Sequence, residues 1–160
     1  MEIQEVNLQN LSQAAEIHAL SWQEAHRDFC SAEFVAQHSV ARQMAYLRRE
    51  MEAGKRLFML TDHQPVGIVS VDGNLIENLY VLPQKQRKGY GTELLKFAIA
   101  QCVDTPTLWV LNRNSPACAF YRKHGFRETG ERKQLRSDLF ETEMILPNIM
   151  HGLSSDRTMR

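Results

Sequence analysis

Two glycines that follow a short basic loop are the residues of this sequence with the clearest chemical meaning. Gly89 and Gly91 stand between an apolar, strand-like run and an amphipathic, helix-like segment. Glycine lets the backbone approach a ligand with no side chain in between. The first amide groups of a helix point outward, at the end where the helix dipole favours anions. With Lys85, Arg87 and Lys88 in the loop, the pattern predicts a site for a diphosphate.

The spacing of these glycines differs from two common nucleotide-binding patterns. The loop is not a G-x-G-x-x-G fingerprint, and no Lys-Ser/Thr pair follows the second glycine as in a P-loop. The sequence around it offers no evident pair of metal-binding carboxylates. We therefore exclude nucleotide hydrolysis as an interpretation. A tight strand-to-helix turn without a ligand is the structural alternative for the hexapeptide alone.

A second segment whose residues could take part in catalysis or binding follows about two dozen residues later. An apolar run ends at Asn112, and the next residues predict a short helix with Ser115 as its N-cap and Pro116 at its first position. Gly125 is a suitable C-terminal stop. The apolar stripe of this predicted helix ends in the phenol of Tyr121.

Taken together, the two segments resemble the GNAT superfamily of acyl-CoA-dependent N-acetyltransferases, and the resemblance extends over roughly residues 1–146. The residues similar to the family's pyrophosphate-binding motif are Val81, Pro83, Gln86, Gly89 and Gly91. Those similar to the motif that follows it are Asn114, Ala117, Phe120, Tyr121, Gly125 and Phe126.

The resemblance implies an α+β fold with a central mixed, mostly antiparallel twisted sheet of about seven strands and helices on both faces. The Asp-Gly-Asn run 72–74 predicts a tight hairpin. A splayed parallel pair is expected between strands 75–81 and 107–111, joined by a right-handed crossover. We expect one N-acetyltransferase domain over 1–146 and a C-terminal tail over 147–160.

The resemblance also implies where the co-substrate acetyl-CoA binds. The pantetheine arm would lie along strand 75–81 like an added strand, and backbone amides of residues 87–92 would hold the pyrophosphate. No metal is expected. The cofactor-binding residues implied in this way are Leu79, Tyr80, Val81, Gln86, Arg87, Lys88, Gly89, Tyr90, Gly91, Thr92 and Asn114.

Tyr121 and Glu77 are the candidate catalytic residues. Tyr121 occupies the family's general-acid position, and a phenol with a pKa near ~10 can give a proton to a departing thiolate. The alternative is a tyrosine that only packs against the sheet. Strand alternation places Glu77 on one face with Leu79 and Val81, where it is a candidate base. A water relay, or a bulge that turns Glu77 to another face, stays open.

The acceptor pocket of the family lies between the first helices and the closing hairpin. By resemblance, Trp22, His26, Phe29 and Glu33 could line it, with Asp28 beside them. Acidic residues there would suit a cationic amine, although scattered carboxylates occur on any such surface. A further residue of the first helix, His18, is interpreted as a satisfied, half-buried side chain with no metal-ligand partner.

The overall composition limits the classes of binding partner that can be expected. Nineteen Lys and Arg balance nineteen Asp and Glu, so the formal net charge is zero. Neither nucleic acid nor an anionic membrane is expected to be attracted. Three cysteines without a C-x-x-C pair, and no long apolar run, predict a cytoplasmic protein.

We therefore expect an enzyme that moves acetyl from acetyl-CoA to a primary amine of a small molecule or peptide by direct transfer. The predicted closing hairpin leaves a strand edge, and the family commonly pairs through its C-terminal strands, so a homodimer is expected. The alternative is a non-catalytic acyl-CoA-binding sensor or interaction module.

Overall fold

The structure is a computed structural model that describes residues 1–147. It divides into two compact units, Met1–Cys102 and a second that begins at Val103. The single domain predicted over 1–146 stays a prediction, and the predicted tail lies outside the described residues from 148 onward.

Four antiparallel strands form the sheet of the first unit, in the order β1-β2-β3-β4. The predicted hairpin is present: Asp72 pairs with Leu75 across the turn, where Gly73 has φ +65°. The strands of this unit are β1 (Glu2–Glu5), β2 (Arg56–Asp62), β3 (Gln64–Asp72) and β4 (Leu75–Val81). Its helices are α1 (Leu11–His26), α2 (Ala32–Ala36), α3 (Val40–Glu52) and α4 (Tyr90–Gln101).

Helices cover both faces of this sheet. On one face, α1 and α3 contribute buried residues such as Ile17 and Leu47 to a core with Ile68 of β3. On the other face α4 approaches β3 so closely that a Cβ on Gly67 would lie 2.7 Å from Leu94 Cδ1. Adjacent residues of a strand point to opposite faces, which is why Gly67 and Ile68 face different helices.

A bulge interrupts the pairing of β3 with β4. Ile68 pairs with Tyr80 but Ser70 pairs with Glu77, so β4 holds one extra residue, and Asn78 has φ +53°. The bulge resets the alternation. Glu77 therefore lies on the face of Asn78 and Tyr80, towards α1 and α3, and the predicted sharing of a face with Leu79 and Val81 is wrong.

The second unit is an antiparallel sheet in the order β5-β7-β6. Its elements are β5 (Thr107–Leu111), α5 (Ser115–Lys123), β6 (Arg127–Arg136) and β7 (Leu139–Ile145). The residue that caps α5 is Asn114, whose Oδ1 accepts the Ala117 N–H at 3.2 Å, and not Ser115 as the sequence predicts. Ser115 is instead the first residue of the helix.

The predicted fold class is confirmed. The described residues contain seven strands, four in the sheet of the first unit and three in that of the second, together with five α-helices, as in the GNAT fold.

Candidate functional site

Hydrogen bonds at the end of β4 hold the loop that follows this strand and connect the strand end to α1. The loop passes through a short 3₁₀ turn, Pro83–Lys85. The Gln86 Nε2 group donates to the Val81 carbonyl at 3.1 Å, and Ser21 Oγ of α1 donates to the same oxygen at 3.2 Å. The predicted cofactor residue Gln86 thus closes the loop through its side chain.

Gly89 shapes the entry into α4. Its φ of +88° lies in the left-handed region, and a Cβ there would meet nothing within 4 Å. The first amide that bonds within the helix is that of Glu93, to the Gly89 carbonyl at 3.1 Å. The amides at the helix start therefore precede the internal ladder, which is the arrangement that binds anions.

Positive side chains surround this helix start. Arg87 and Lys88 are exposed, and neither forms an ion pair with another residue of the described part of the chain. Arg87 itself has φ +64°, so the loop turns sharply just before Gly89. Gly91 and Thr92 follow in the first turn of α4, half-buried.

The side chain of Tyr90 points away from an anion site and towards β2. Its hydroxyl donates to Asp62 Oδ2 at 2.5 Å. This hydrogen bond raises the pKa of Tyr90 and is the main reason why the pKa of Asp62 lies below its usual value. Tyr90 therefore fixes the start of α4 to the end of β2, and only its backbone amide is left for the predicted diphosphate.

In the second unit, Asn114 has a structural role in addition to its predicted contact with the cofactor. Its Oδ1 caps α5, while its Nδ2 makes no hydrogen bond with other residues of 1–147. The amide nitrogen is the atom that a cofactor contact would use.

Tyr121 is half-buried on α5. Its ring contacts those of Phe120 and Phe126, with centroids 5.4 Å and 5.9 Å away. Burial raises the pKa of Tyr121 above its ordinary value, and the nearby Cys118 adds to the rise. The phenol is therefore protonated at neutral pH, as a general acid must be.

Glu77 is held by an ion pair. Lys55 Nζ lies 2.9 Å from Glu77 Oε1 and 2.9 Å from Glu50 Oε1. Burial lowers the pKa of Lys55, but the hydrogen bonds to both carboxylates more than offset this, so its pKa lies above the usual value. Glu77 is thus engaged by a cation, a feature that sequence alternation alone could not reveal.

The structure brings three of the four predicted acceptor residues together. The indole of Trp22 stacks on His26, with centroids 3.8 Å apart, and Phe29 lies 5.3 Å from the His26 ring. Burial lowers the pKa of His26. Glu33, by contrast, is exposed on α2. Asp28, which precedes that helix, is also exposed.

A cavity of about 270 Å³ lies beside Trp22, within the first unit. Sequence reasoning missed most of its lining. The signal that could have found part of it is the spacing on α3, where residues 42, 46 and 49 share one helical face. The lining residues are His18, Trp22, His38, Arg42, Gln43, Tyr46, Arg49, Asn78 and Tyr80.

His18 forms part of the buried end of this cavity. Its Nε2 lies 3.2 Å from Asn78 Oδ1, and Asn78 Nδ2 donates to Ser70 Oγ at 3.1 Å and towards Tyr46 Oη at 3.5 Å. Because the amide oxygen is the acceptor, His18 Nε2 carries the proton. Burial lowers the pKa of His18 to about 4, so the ring is neutral. Its Nδ1 is buried without a partner in the described chain, so the satisfied histidine predicted from sequence is only half satisfied.

Comparison with known families decides the wider assignment. A family model described as an acetyltransferase (GNAT) domain matches residues 13–146, most of the chain. The chain belongs to the GNAT acetyltransferase family.

Solved structures of acetyltransferases share its fold. One is a GCN5-related N-acetyltransferase from Rhodopseudomonas palustris, 25% identical, covering 90% of this chain and 93% of that one with a TM-score of 0.72. Another is the PaiA N-acetyltransferase of Thermoplasma acidophilum in complex with coenzyme A, 21% identical, covering 89% and 96% with a TM-score of 0.66. A third is YncA of Salmonella typhimurium with acetyl-CoA, 17% identical, covering 91% and 92% with a TM-score of 0.65.

Two features are absent from the described residues. Within residues 1–147, no helix is both long and apolar enough to span a membrane. The same residues contain no group of three or more His, Cys, Asp or Glu side chains arranged to hold a metal ion.

Proposed function

We propose that this GNAT protein transfers an acetyl group directly from acetyl-CoA to a primary amine of a small molecule or peptide. The observation that carries the proposal is the start of α4, where Gly89 in the left-handed region precedes the first amides of the helix beside Arg87 and Lys88. Such a helix start suits a pyrophosphate. Two of the structurally similar proteins were solved with coenzyme A or acetyl-CoA.

In this proposal the first unit supplies most of the cofactor contacts. Leu79, Tyr80 and Val81 of β4 line the pantetheine arm, and the amides of residues 87–92 hold the diphosphate. Asn114 of the second unit contributes its Nδ2 group. Gln86 acts indirectly, since its side chain is bonded to the Val81 carbonyl.

The proposed reaction needs two proton movements. The amine nitrogen bonds to the thioester carbon, the carbon–sulfur bond breaks, and the nitrogen loses a proton. Tyr121 gives a proton to the departing thiolate, and burial, which raises its pKa, keeps the phenol protonated near neutral pH for this step. Neither step requires a covalent enzyme intermediate.

The proposed base is Glu77 or a water molecule that it orders. The ion pair with Lys55 holds the Glu77 carboxylate in place, where it can accept a hydrogen bond from such a water. The bulge directs Glu77 to the face of β4 that carries Asn78 and Tyr80, and those two residues line the cavity.

We also propose a cytoplasmic homodimer. Strand β6 lies at the end of the order β5-β7-β6, and its residues are exposed, so a second copy could cover it. Light scattering at micromolar concentration is expected to give twice the chain mass, and a monomeric mass would contradict the dimer.

A thiol-release assay tests the proposed function. Acetyl-CoA is incubated with the protein and a panel of primary amines, and calorimetry compares CoA with pantetheine. We expect release that depends on an amine, and tighter binding of CoA than of pantetheine. Binding without release for every amine would instead favour the non-catalytic acyl-CoA module. Equal affinity for pantetheine and CoA would contradict the diphosphate site.

A further inference from the structure

The wall of the cavity that α3 forms carries two arginines. Arg42 and Arg49 are seven residues apart, or about 10 Å along the helix axis, and lie on the same face. Both side chains are exposed at the cavity. Neither makes an ion pair with any residue in 1–147, whereas Arg48 between them pairs with Glu52 at 3.2 Å.

No acidic side chain is among the residues that line the cavity with these two arginines. The nine residues that line the cavity include two guanidinium groups and no carboxylate. The nearby carboxylates of Glu50 and Glu77 share one cation, Lys55, and Glu50 also forms a hydrogen bond with Tyr46 of the cavity wall. His18 is neutral because burial lowers its pKa to about 4. The cavity therefore presents positive charge from α3 to whatever enters it, and guanidinium groups bind carboxylate and phosphate oxygens through paired hydrogen bonds.

The size and the remaining walls of the cavity limit the ligand. The open cavity has a volume of about 270 Å³, which leaves room for a compound of amino-acid size. Tyr46 and Tyr80 supply aromatic surfaces, whereas the indole of Trp22 is stacked on both His26 and His38. Asn78 and Tyr80 belong to β4, whereas the two arginines belong to α3.

We propose that this cavity holds the acceptor, and that the acceptor is a small primary amine that also carries an anionic carboxylate or phosphate group bound by Arg42 and Arg49. The inference rests on the proposed function, since β4 is the strand proposed to carry pantetheine. The amine then lies on the β4 side, near the thioester, and the anion lies on the α3 side. This differs from the cationic acceptor that Asp28 and Glu33 suggest from sequence, because both of those residues are exposed and neither lines the cavity.

Direct binding provides a test that does not depend on turnover. The chain has two tryptophans, so Trp109→Phe leaves Trp22 of the cavity as the single indole emitter. The probes are 4-aminobutanoate, 3-aminopropylphosphonate, 1-aminobutane and 1,4-diaminobutane. We expect saturable changes in Trp22 emission with one or both anionic amines and weaker binding of the other two. Tighter binding of the diamine would overturn the inference.

The arginines are tested by turnover with the same four amines. Loss of a charge-assisted contact typically changes binding by roughly 10- to 100-fold. The measured quantity is the specificity ratio, which is kcat/KM for the preferred anionic amine divided by kcat/KM for 1-aminobutane. We expect Arg42→Gln and Arg49→Gln, singly and together, to lower this ratio by roughly 10- to 100-fold. Arg48→Gln is the matched control on the same helix and should keep the wild-type ratio. Comparison of the carboxylate with the phosphonate identifies which anion is preferred.

The two proposals fail in different ways. If the protein neither binds nor consumes acetyl-CoA, the proposed function fails, while the Trp22 titration still decides whether the cavity binds anions. If acetyl-CoA is consumed but the ratio is unchanged in the double variant, the anion site is wrong and the transferase stands. If the arginine variants instead weaken acetyl-CoA binding in calorimetry, Arg42 and Arg49 belong to the cofactor site and the inference is overturned.

Discussion

The ammonium of Lys55 and the carboxylate of Glu77 lie 2.9 Å apart, with both side chains less than a third exposed. The same Lys55 binds Glu50 at the end of α3. One cation thus connects the bulged strand β4 to a helix that lines the cavity. The candidate base is also part of the framework that positions β4.

Replacement of either member of this pair should separate the structural role from the proposed catalytic one. Glu77→Gln and Lys55→Gln are both expected to lower the free energy of unfolding by about 1 kcal/mol, since partly exposed pairs contribute at that level. Only Glu77→Gln should also flatten the acidic limb of the pH–rate profile. Urea unfolding and initial rates between pH 5 and pH 9 measure the two effects. An unchanged acidic limb in Glu77→Gln would leave Glu77 with a structural role alone.

Substitution of Gly89 tests the diphosphate site. With φ at +88°, a side chain costs about 1–2 kcal/mol through backbone strain, although a Cβ there meets nothing within 4 Å. We expect Gly89→Val to stay folded and to weaken acetyl-CoA binding at least tenfold in calorimetry, because the altered backbone no longer presents the helix amides. Gly73→Val is the matched control, since Gly73 also has a positive φ and open space but lies in the β3–β4 turn. Equal losses in both variants would point to general destabilisation.

Tyr121→Phe removes the proposed proton donor and keeps the ring between Phe120 and Phe126. We expect kcat to fall by ~10²–10⁴-fold, the usual contribution of general acid catalysis, with little change in acetyl-CoA affinity or melting temperature. Stopped-assay kinetics at saturating substrates and calorimetry give these values. Full turnover in the purified variant would make Tyr121 a packing residue. An acetylated cysteine seen by mass spectrometry would replace direct transfer with a ping-pong route.

His18 should make the stability of the protein depend on pH. Its pKa is lowered from 6.5 to about 4 in the folded state, mainly by burial. The unfolded chain therefore binds the extra proton first as the pH falls. The stabilisation from the neutral ring is complete above about pH 6.5, and it is lost as the pH falls towards about 4. The full effect is roughly 3 kcal/mol.

Urea unfolding at pH 7 and pH 4.5 checks this prediction. We expect His18→Gln to lose less stability between the two pH values than the wild type. The exposed His63 provides the control, and His63→Gln should behave as the wild type does. Parallel pH dependence in all three proteins would show that folding does not lower the pKa of His18.

The sequence alone determined the family, the fold class and the glycine loop. The glycine loop is a local feature, because the basic loop, the left-handed Gly89 and the helix start follow one another along the chain. Residue type indicates such backbone geometry directly. The α5 segment was also recognisable, although the sequence assigned its cap to Ser115 while the structure uses Asn114. Neighbouring residues with similar capping ability compete, and local patterns fix helix boundaries poorly.

Tertiary structure decided the face of Glu77 and the lining of the cavity. One extra residue in β4 turns Glu77 towards α1 and α3, and no alternation rule predicts where a bulge falls. Arg42, Asn78 and His18 belong to three elements far apart in the chain, and only folding brings them to one cavity. Charge balance in a site depends on which side chains share that space, because electrostatic attraction acts through distance and burial and not through position in the sequence.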